Sequence, residues 1–404
     1  MHRYSERTLL LLLAAVQFTH ILDFMVMMPL GQQLMRELAI GPAQFSHLVA
    51  AYTISAGVVG LLAAPFMDRY DRRKVLLITY AGFFLGTLAC ALSQSAEQLL
   101  AARAVCGAFG GVSGATVMAI VGDIVPPSRR AAGMGIIMAA FATAAALGVP
   151  IGLWLAQKFR WEMPFFMVAG LAVIVWLLVF VTLPAVRDHL DDSAMHGFHT
   201  FFELVRDANA GRALLFMSAL VMGHFAVIPL LAPYLVSNLG LPENELFLIY
   251  MVGGVCSALT APAFGRLADR VGRFRVFAVL IAVASLVTLA ISNSGRLPVW
   301  GVLVLAGLFF TFASGRFVPA QAILSLAVPA RRRGSFMSLT SCTRDLTSGI
   351  TSSVGGWLVT RGPGGQLVNY DKLGWLAVVV SLLSLWLASR VHVNEVEHPA
   401  KTKV

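Results

Sequence analysis

Polar positions in this chain do not alternate with apolar ones; they separate long apolar blocks. From residue 8 to residue 30 the sequence reads TLLLLLAAVQFTHILDFMVMMPL, and Asp23 is the one acid in it. Comparable blocks follow at about 44–67, 75–94, 97–121, 132–156, 164–184, 212–238, 244–265, 276–293, 298–327, 335–360 and 373–390, twelve in all. Roughly 20 apolar residues in a helix cross the ~30 Å hydrocarbon core of a bilayer. The pattern therefore predicts an all-α, polytopic membrane protein with 12 transmembrane helices. Gly, Ala and Ser recur inside the blocks, as where helix packs on helix in lipid. The first block is longer than the apolar core of an ordinary signal peptide and lacks a small-x-small cleavage site before the next helix, so it is read as the first span.

Two polar signatures occur twice. Asp68-Arg69 returns as Asp269-Arg270, 201 residues on, and Pro127-Ser-Arg-Arg returns as Pro329-Ala-Arg-Arg, 202 residues on. Each lies after the second or fourth span of its half. The repeat predicts two pseudo-symmetric six-helix bundles, residues 1–184 and 212–393, joined by a polar linker, 185–211, and followed by a tail, 394–404. Repeats related by an axis along the membrane normal place a binding site between the halves near the midplane. In the linker, Phe198, Phe201, Phe202 and Val205 form either the apolar stripe of a short surface helix or one hydrophobic turn of a solvated segment.

Composition fixes the sidedness. The chain is 58% hydrophobic and 12% charged, against about 25% charged in a soluble domain. Of the 30 Lys and Arg, 21 fall on the side of the two termini, 6 on the other side and 3 within spans. The net charge of +10 thus follows the positive-inside rule, with both termini cytoplasmic, and is not a nucleic-acid signal. Cys90, Cys106, Cys256 and Cys342 are scattered through apolar blocks, so no disulfide framework or metal site is indicated.

No Gly-Lys pair occurs, which excludes a P-loop and a primary pump built on one. Neither HExxH nor GxSxG supports an enzyme, and no soluble output domain supports a sensor. Work must come from gradients, where one charge crossing 100 mV yields about 2.3 kcal/mol.

The stretch Gly265-Arg-Leu-Ala-Asp-Arg-Val-Gly-Arg273 closely resembles the loop signature of the major facilitator superfamily between helices 8 and 9. Its partner, Ala64-Pro-Phe-Met-Asp-Arg-Tyr-Asp-Arg-Arg-Lys74, departs from the pattern at Ala64 and Asp71, where glycines are usual. The resemblance implies a conformational latch at Asp68, Arg69, Asp269, Arg270 and Arg273. Arg103-Ala-Val-Cys-Gly-Ala-Phe-Gly-Gly-Val-Ser-Gly114 looks like the R-x-x-x-G motif of the family's proton-coupled exporters. Gly148, Pro150 and Gly152, with Trp161 beyond, are similar to the antiporter motif of helix 5 in the variant of the sugar-efflux and arabinose-efflux-like branch. Proline and glycine there imply a helix bend or a close helix approach.

A carboxylate at the bilayer centre costs roughly 2.5–3.5 kcal/mol on insertion scales. Asp23 and Arg103 each lie about seven residues from the outer end of their helices, roughly 10 Å deep. We therefore expect them to neutralise each other, as a structural pair or as a proton-coupling pair. Burial favours the neutral acid and a near cation the carboxylate, so a moving Arg103 changes proton affinity. Gln17, His20 and Asp23 share one face, which makes His20 a candidate relay and Gln17 a substrate contact. His224 follows Asp23 by 201 residues, beside Pro229 and Pro233, and is its expected counterpart. Arg316 and Asp345 lie at equal distance from the middle of the loop 328–333, which predicts an ion pair, with Arg344 competing or left to attract an anionic substrate group. Met27, with Phe18, Phe24, Met25, Met28, Phe109 and Phe225, can supply a soft apolar pocket.

The expectation is a secondary transporter exporting a small organic molecule (drug, sugar or related metabolite) in exchange for protons, or, alternatively, a proton-coupled uptake symporter. Expected partners are the small-molecule substrate, protons and the lipid bilayer, with no cofactor, metal or nucleic acid. The resemblance implies a monomer in a bacterial inner membrane.

Overall fold

The computed structural model describes residues 5–67, 69–126, 129–187, 203–204, 206–329 and 332–393. In lipid every backbone N–H and C=O must be satisfied within the chain, and helices do this throughout. Spans 1 to 4 are Glu6–Val26, Pro42–Met67, Arg72–Ala91 and Ala96–Ile124. Span 5 is two helices, Arg130–Thr143 and Val149–Lys158, joined by a π-turn at Ala144–Gly148, and span 6 is Met163–Thr182. Span 7 runs as Ala208–Phe225 and Leu231–Ser237 around a 3₁₀ turn, Ile228–Leu230. Spans 8 and 9 are Leu246–Val271 and Arg273–Ser292. Span 10 is Val299–Gly315 and Phe317–Leu326, span 11 Arg333–Leu358 and span 12 Tyr370–Ser389.

Together they form two six-helix bundles, with the start of span 1 and the end of span 12 at one end, here the terminal end; the opposite end is the far end. Among the described residues, eleven of these spans are apolar enough to cross a membrane by length and composition. Span 11, at 26 residues, is the twelfth. Its hydropathy is lowered by Arg344, Asp345 and a run of Ser and Thr.

Caps set the helix starts. Ser5, Ser95 and Asp207 each accept from a backbone N–H in the following turn, which satisfies donors the helix cannot. Breaks have local causes. Pro229 and Pro233 remove donors from the middle of span 7, and the helix gives way at Ala226–Leu230. Gly272, between spans 8 and 9, has φ 109°, a backbone region where a Cβ is strained. That explains the glycine in Asp269-Arg-Val-Gly272. Span 8 continues to Val271, about one and a half turns beyond the apolar block, so Asp269 and Arg270 stand in its last turns and not in a loop.

The halves meet through small residues. Span 2 packs on span 11, where Gly57 and Gly60 lie against Leu346 and Cys342, and Gly356 against Ser46. Span 8 crosses the π-turn of span 5, where Gly254 faces the Ala145–Ala146 backbone. At the far end, the short helix Gly31–Glu37 after span 1 reaches the second half: Arg36 pairs with Glu243 at 2.7 Å, and Gln157 Nε2 donates to the Glu243 carbonyl at 2.7 Å.

Candidate functional site

Span 1 delivers Asp23 to the interior of the first half, where neither it nor Arg103 of span 4 is exposed (both 0%). Arg103 Nη1 donates to Asp23 Oδ2 at 2.7 Å and to the Asp23 carbonyl at 3.3 Å. Thr87 Oγ1 donates to Asp23 Oδ1 at 3.3 Å. The guanidinium lies 4.5 Å from the Tyr52 ring centroid, a cation–π contact strengthened by the dry surroundings. Arg103 Nε and Nη2 are enclosed without partners among the described residues.

Span 5 buttresses the acid: Gly148 lies against Leu22 and Gly152 against Val26, either side of Asp23 in sequence. Gly148 and Gly152 thus serve close approach to span 1, while Pro150 sits in the first turn of Val149–Lys158. The bend itself is the π-turn before it. On span 4, Gly107 is in close contact with the Tyr52 carbonyl and Ser55 Oγ, and Gly110 faces His20 and the Tyr52 hydroxyl.

Beside the pair lies a set of polar groups with nothing to bond. Among the described residues, both His20 nitrogens, Gln17 Oε1 and the Tyr52 hydroxyl are enclosed and have no partner. His20 stands 5.8 Å from Tyr52 and 5.9 Å from Phe83, ring to ring. Buried polar atoms are normally satisfied, so such a set marks a place for water or a ligand.

Span 11 completes the arrangement from the other half. Arg344 is within electrostatic reach of His20, and Asp345 of Tyr52. Arg344 lies eleven residues into its helix, about 16 Å along it, yet its side chain is 44% exposed. At that depth Arg344 is a partly accessible cation on the helix that packs against span 2 of the first half.

The structure departs from two sequence expectations here, on Arg316 and on Met27. Arg316 does not pair with Asp345. Arg344 Nε takes Asp345 Oδ1 at 3.2 Å, while Arg316 Nη1 donates to Ser381 Oγ of span 12 at 2.9 Å. Equal distance from a loop fixes depth but not rotation about the helix axis. Met27 is not in an accessible pocket; it is fully buried in the apolar core with Leu30 and Leu34, because span 1 hands over there to the short far-end helix. His224 is packed among rings, stacked on Phe309 and edge-on to Phe225 and Phe317, with Nδ1 unpartnered. Sequence reasoning missed Tyr52 and Thr87, since a hydroxyl in an apolar block carries no periodic mark of its partner. A separate groove of about 1030 Å³ at the far end, lined by Gln32, Arg36, Trp357 and Arg361 among others, lies away from the buried charges.

The family model of the Major Facilitator Superfamily matches residues 13–254 and again 213–403. The chain belongs to the major facilitator superfamily. Members of the superfamily are transporters and not enzymes. The chain is 25% identical over 345 residues to the MFS-type transporter YceJ of Bacillus subtilis, covering 85% of this chain and 87% of that one. It is 22% identical over 339 residues to a protein named as a sugar efflux transporter in Mannheimia succiniciproducens, covering 82% and 81%. The solved D-xylose–proton symporter superposes with TM-score 0.76 over 96% of this chain and 98% of that chain, at 14% identity, which shows the shared fold.

The superfamily's loop motif takes two forms here. Asp68 lies outside the described residues. Arg69 is exposed, beside Phe66. Asp269 and Arg270 are exposed, Arg273 opens span 9, and among the described residues Asp269 makes no ion pair. In the first copy Asp71, the departure from the pattern, holds the local structure. It caps span 3 through Arg73 N–H at 3.0 Å and accepts from Val186 N–H at 3.1 Å and Arg187 Nε at 3.0 Å. Burial pushes its carboxyl up, but the bonds from Arg187, Val186 and Arg73 outweigh that and hold it below its usual range. Arg72 pairs with Asp123 of span 4 at 2.6 Å. An aspartate immediately before a basic run and an apolar block is a readable capping signal.

Proposed function

We propose that this transporter moves a small polar organic molecule, a sugar or related metabolite or drug, out of the cell in exchange for protons, by alternating access. The observation that carries the reading is the fully buried Asp23–Arg103 pair beside the unpartnered His20, Gln17 and Tyr52 groups, facing Arg344 and Asp345 across the interface of the halves. Protonating Asp23 removes the charge that holds Arg103 and frees the guanidinium, already over the Tyr52 ring, to turn toward the interface. Substrate bonding to Gln17, His20, Tyr52 and the Arg344–Asp345 pair then competes with the proton through Arg103.

The far-end clamp Arg36–Glu243 and the exposed Asp269 and Arg270 support a state closed at the far end and accessible from the terminal end. In this reading the terminal end is cytoplasmic, the membrane is a bacterial inner membrane, the bundles 1–184 and 212–393 rock about the linker 185–211, and the chain works as a monomer. A relative named for sugar efflux supports the hydroxylated substrate and the direction. The second reading, proton-coupled uptake, is favoured by the likeness to a xylose–proton symporter.

Inverted membrane vesicles enriched in the protein separate the two. Given an inside-acid gradient, export predicts accumulation of a labelled sugar, or of the dye ethidium, that dissipating the gradient abolishes. Accumulation only when the gradient is reversed, with the outside acid, assigns uptake by symport, and gradient-independent flux under both gradients contradicts proton coupling.

A further inference from the structure

Span 10 carries a guanidinium that no described acid neutralises. Arg316 sits where the helices Val299–Gly315 and Phe317–Leu326 meet and is 3% exposed. Its Nη1 has a neutral partner, Ser381 Oγ, and its Nε is enclosed without one. The acid at its own depth, Asp345, is held by Arg344. Around Arg316 stand two neutral groups that can donate: Ser381, whose Oγ accepts from Arg316 and keeps its own O–H, and the His224 imidazole. The Ser381 hydroxyl lies in close contact with Gly223 of span 7. His224 is within electrostatic reach of the guanidinium, and its Nδ1 is enclosed and unpartnered.

The first half handles the same problem differently. There the buried Arg103 is met by Asp23. The position 201 residues after Asp23 holds His224, so in the second half the chain supplies an imidazole where the first half supplies a carboxylate. A buried cation without a counter-charge is strongly disfavoured, and pairing relieves it. Guanidinium, hydroxyl and imidazole N–H together match an anion's acceptor oxygens or a halide.

We propose that Arg316, Ser381 and His224 form a binding site for a monovalent anion, either a carboxylate carried by the transported molecule or a free halide. The site stands on the architecture and does not depend on proton coupling through Asp23.

The test is thermal unfolding of the full-length protein in detergent, followed by tryptophan fluorescence, with sodium HEPES replaced step for step by sodium chloride or sodium acetate. The wild type shows a saturable rise in melting temperature of about 2 °C or more. His224→Asp, which places a carboxylate beside Arg316, melts higher in HEPES alone and loses the anion response. A rise with both anions assigns a site open to halide; a rise with acetate alone assigns it to the carboxylate of the cargo. The proposal is overturned if neither anion moves the wild type, or if His224→Asp responds as the wild type does. Should His224→Asp not fold, Arg316→Gln replaces it, and an undiminished rise there overturns the proposal equally.

Discussion

Removing one member of the buried pair is not equivalent to removing the other. In Asp23→Asn, Arg103 keeps a full charge in a site with 0% exposure, facing an amide oxygen where a carboxylate stood 2.7 Å away. Its Nε and Nη2 are already unpartnered, and a guanidinium cannot shed its proton. Breaking a buried pair in this way costs about 3–5 kcal/mol. The Tyr52 ring, 4.5 Å from the guanidinium, returns about 2 kcal/mol but does so in the wild type as well. In Arg103→Gln the acid can instead take a proton and keep its bond to Thr87, so the expected loss is smaller, about 1–2 kcal/mol. The double variant contains neither charge and should be more stable than Asp23→Asn alone. At roughly 2 °C per kcal/mol, Asp23→Asn lowers the melting temperature by about 6–10 °C, and adding Arg103→Gln restores part of it. Melting curves of the three variants in detergent measure this. Additive losses, with the double variant the least stable, refute the view that the two charges answer each other.

Other outcomes follow from the same structure. Asp71→Ala should cost about 0.5–2 kcal/mol at neutral pH through loss of the span 3 cap. Because the folded carboxyl is held below its usual range, that stabilisation is present above the unfolded value of about 3.9 and is lost as pH falls through the folded one; melting temperatures of variant and wild type should therefore converge below about pH 4, and a constant difference contradicts the assignment. Gly107→Ala pushes a methyl into the Tyr52 backbone and should lose about 1–3 kcal/mol, whereas Gly114→Ala, whose Cβ would sit 3.6 Å from Gln17 Oε1, should stay within about 0.5 kcal/mol; equal melting shifts contradict the packing. Glu243→Gln weakens a partly exposed far-end pair worth about 0.2–1 kcal/mol, so maleimide labelling of a cysteine placed at Gln44 should speed up by as much as about fivefold, and an unchanged rate removes the clamp from the account.

The architecture was legible because lipid leaves few options: apolar blocks of bilayer length can only be helices, and the 201-residue interval between the two Asp-Arg signatures exposed the repeat. Asp23 and Arg103 were legible for a related reason, as charges too costly to leave alone at matching depth. What the sequence did not carry was rotation. Arg316 and Asp345 share a depth yet face different neighbours, Ser381 and Arg344. Met27 was placed in a pocket by residue type, but the handover from span 1 to Gly31–Glu37 encloses it. Asp71 read as a lapse from a glycine pattern, although its capping geometry was available from its place before span 3. The second motif copy needs Gly272 because its backbone turns at φ 109°; the first, with Asp71 at φ −55°, makes a different turn.

The central claim is that Asp23 takes up and releases a proton while Arg103 stays charged. Difference infrared spectroscopy of the protein in lipid, stepped between neutral and acid pH, reads it directly. The account predicts a carboxylic-acid C=O band that appears on acidification in the wild type, with matching loss of a carboxylate band, and that is missing from Asp23→Asn. Identical difference spectra for wild type and Asp23→Asn would contradict it.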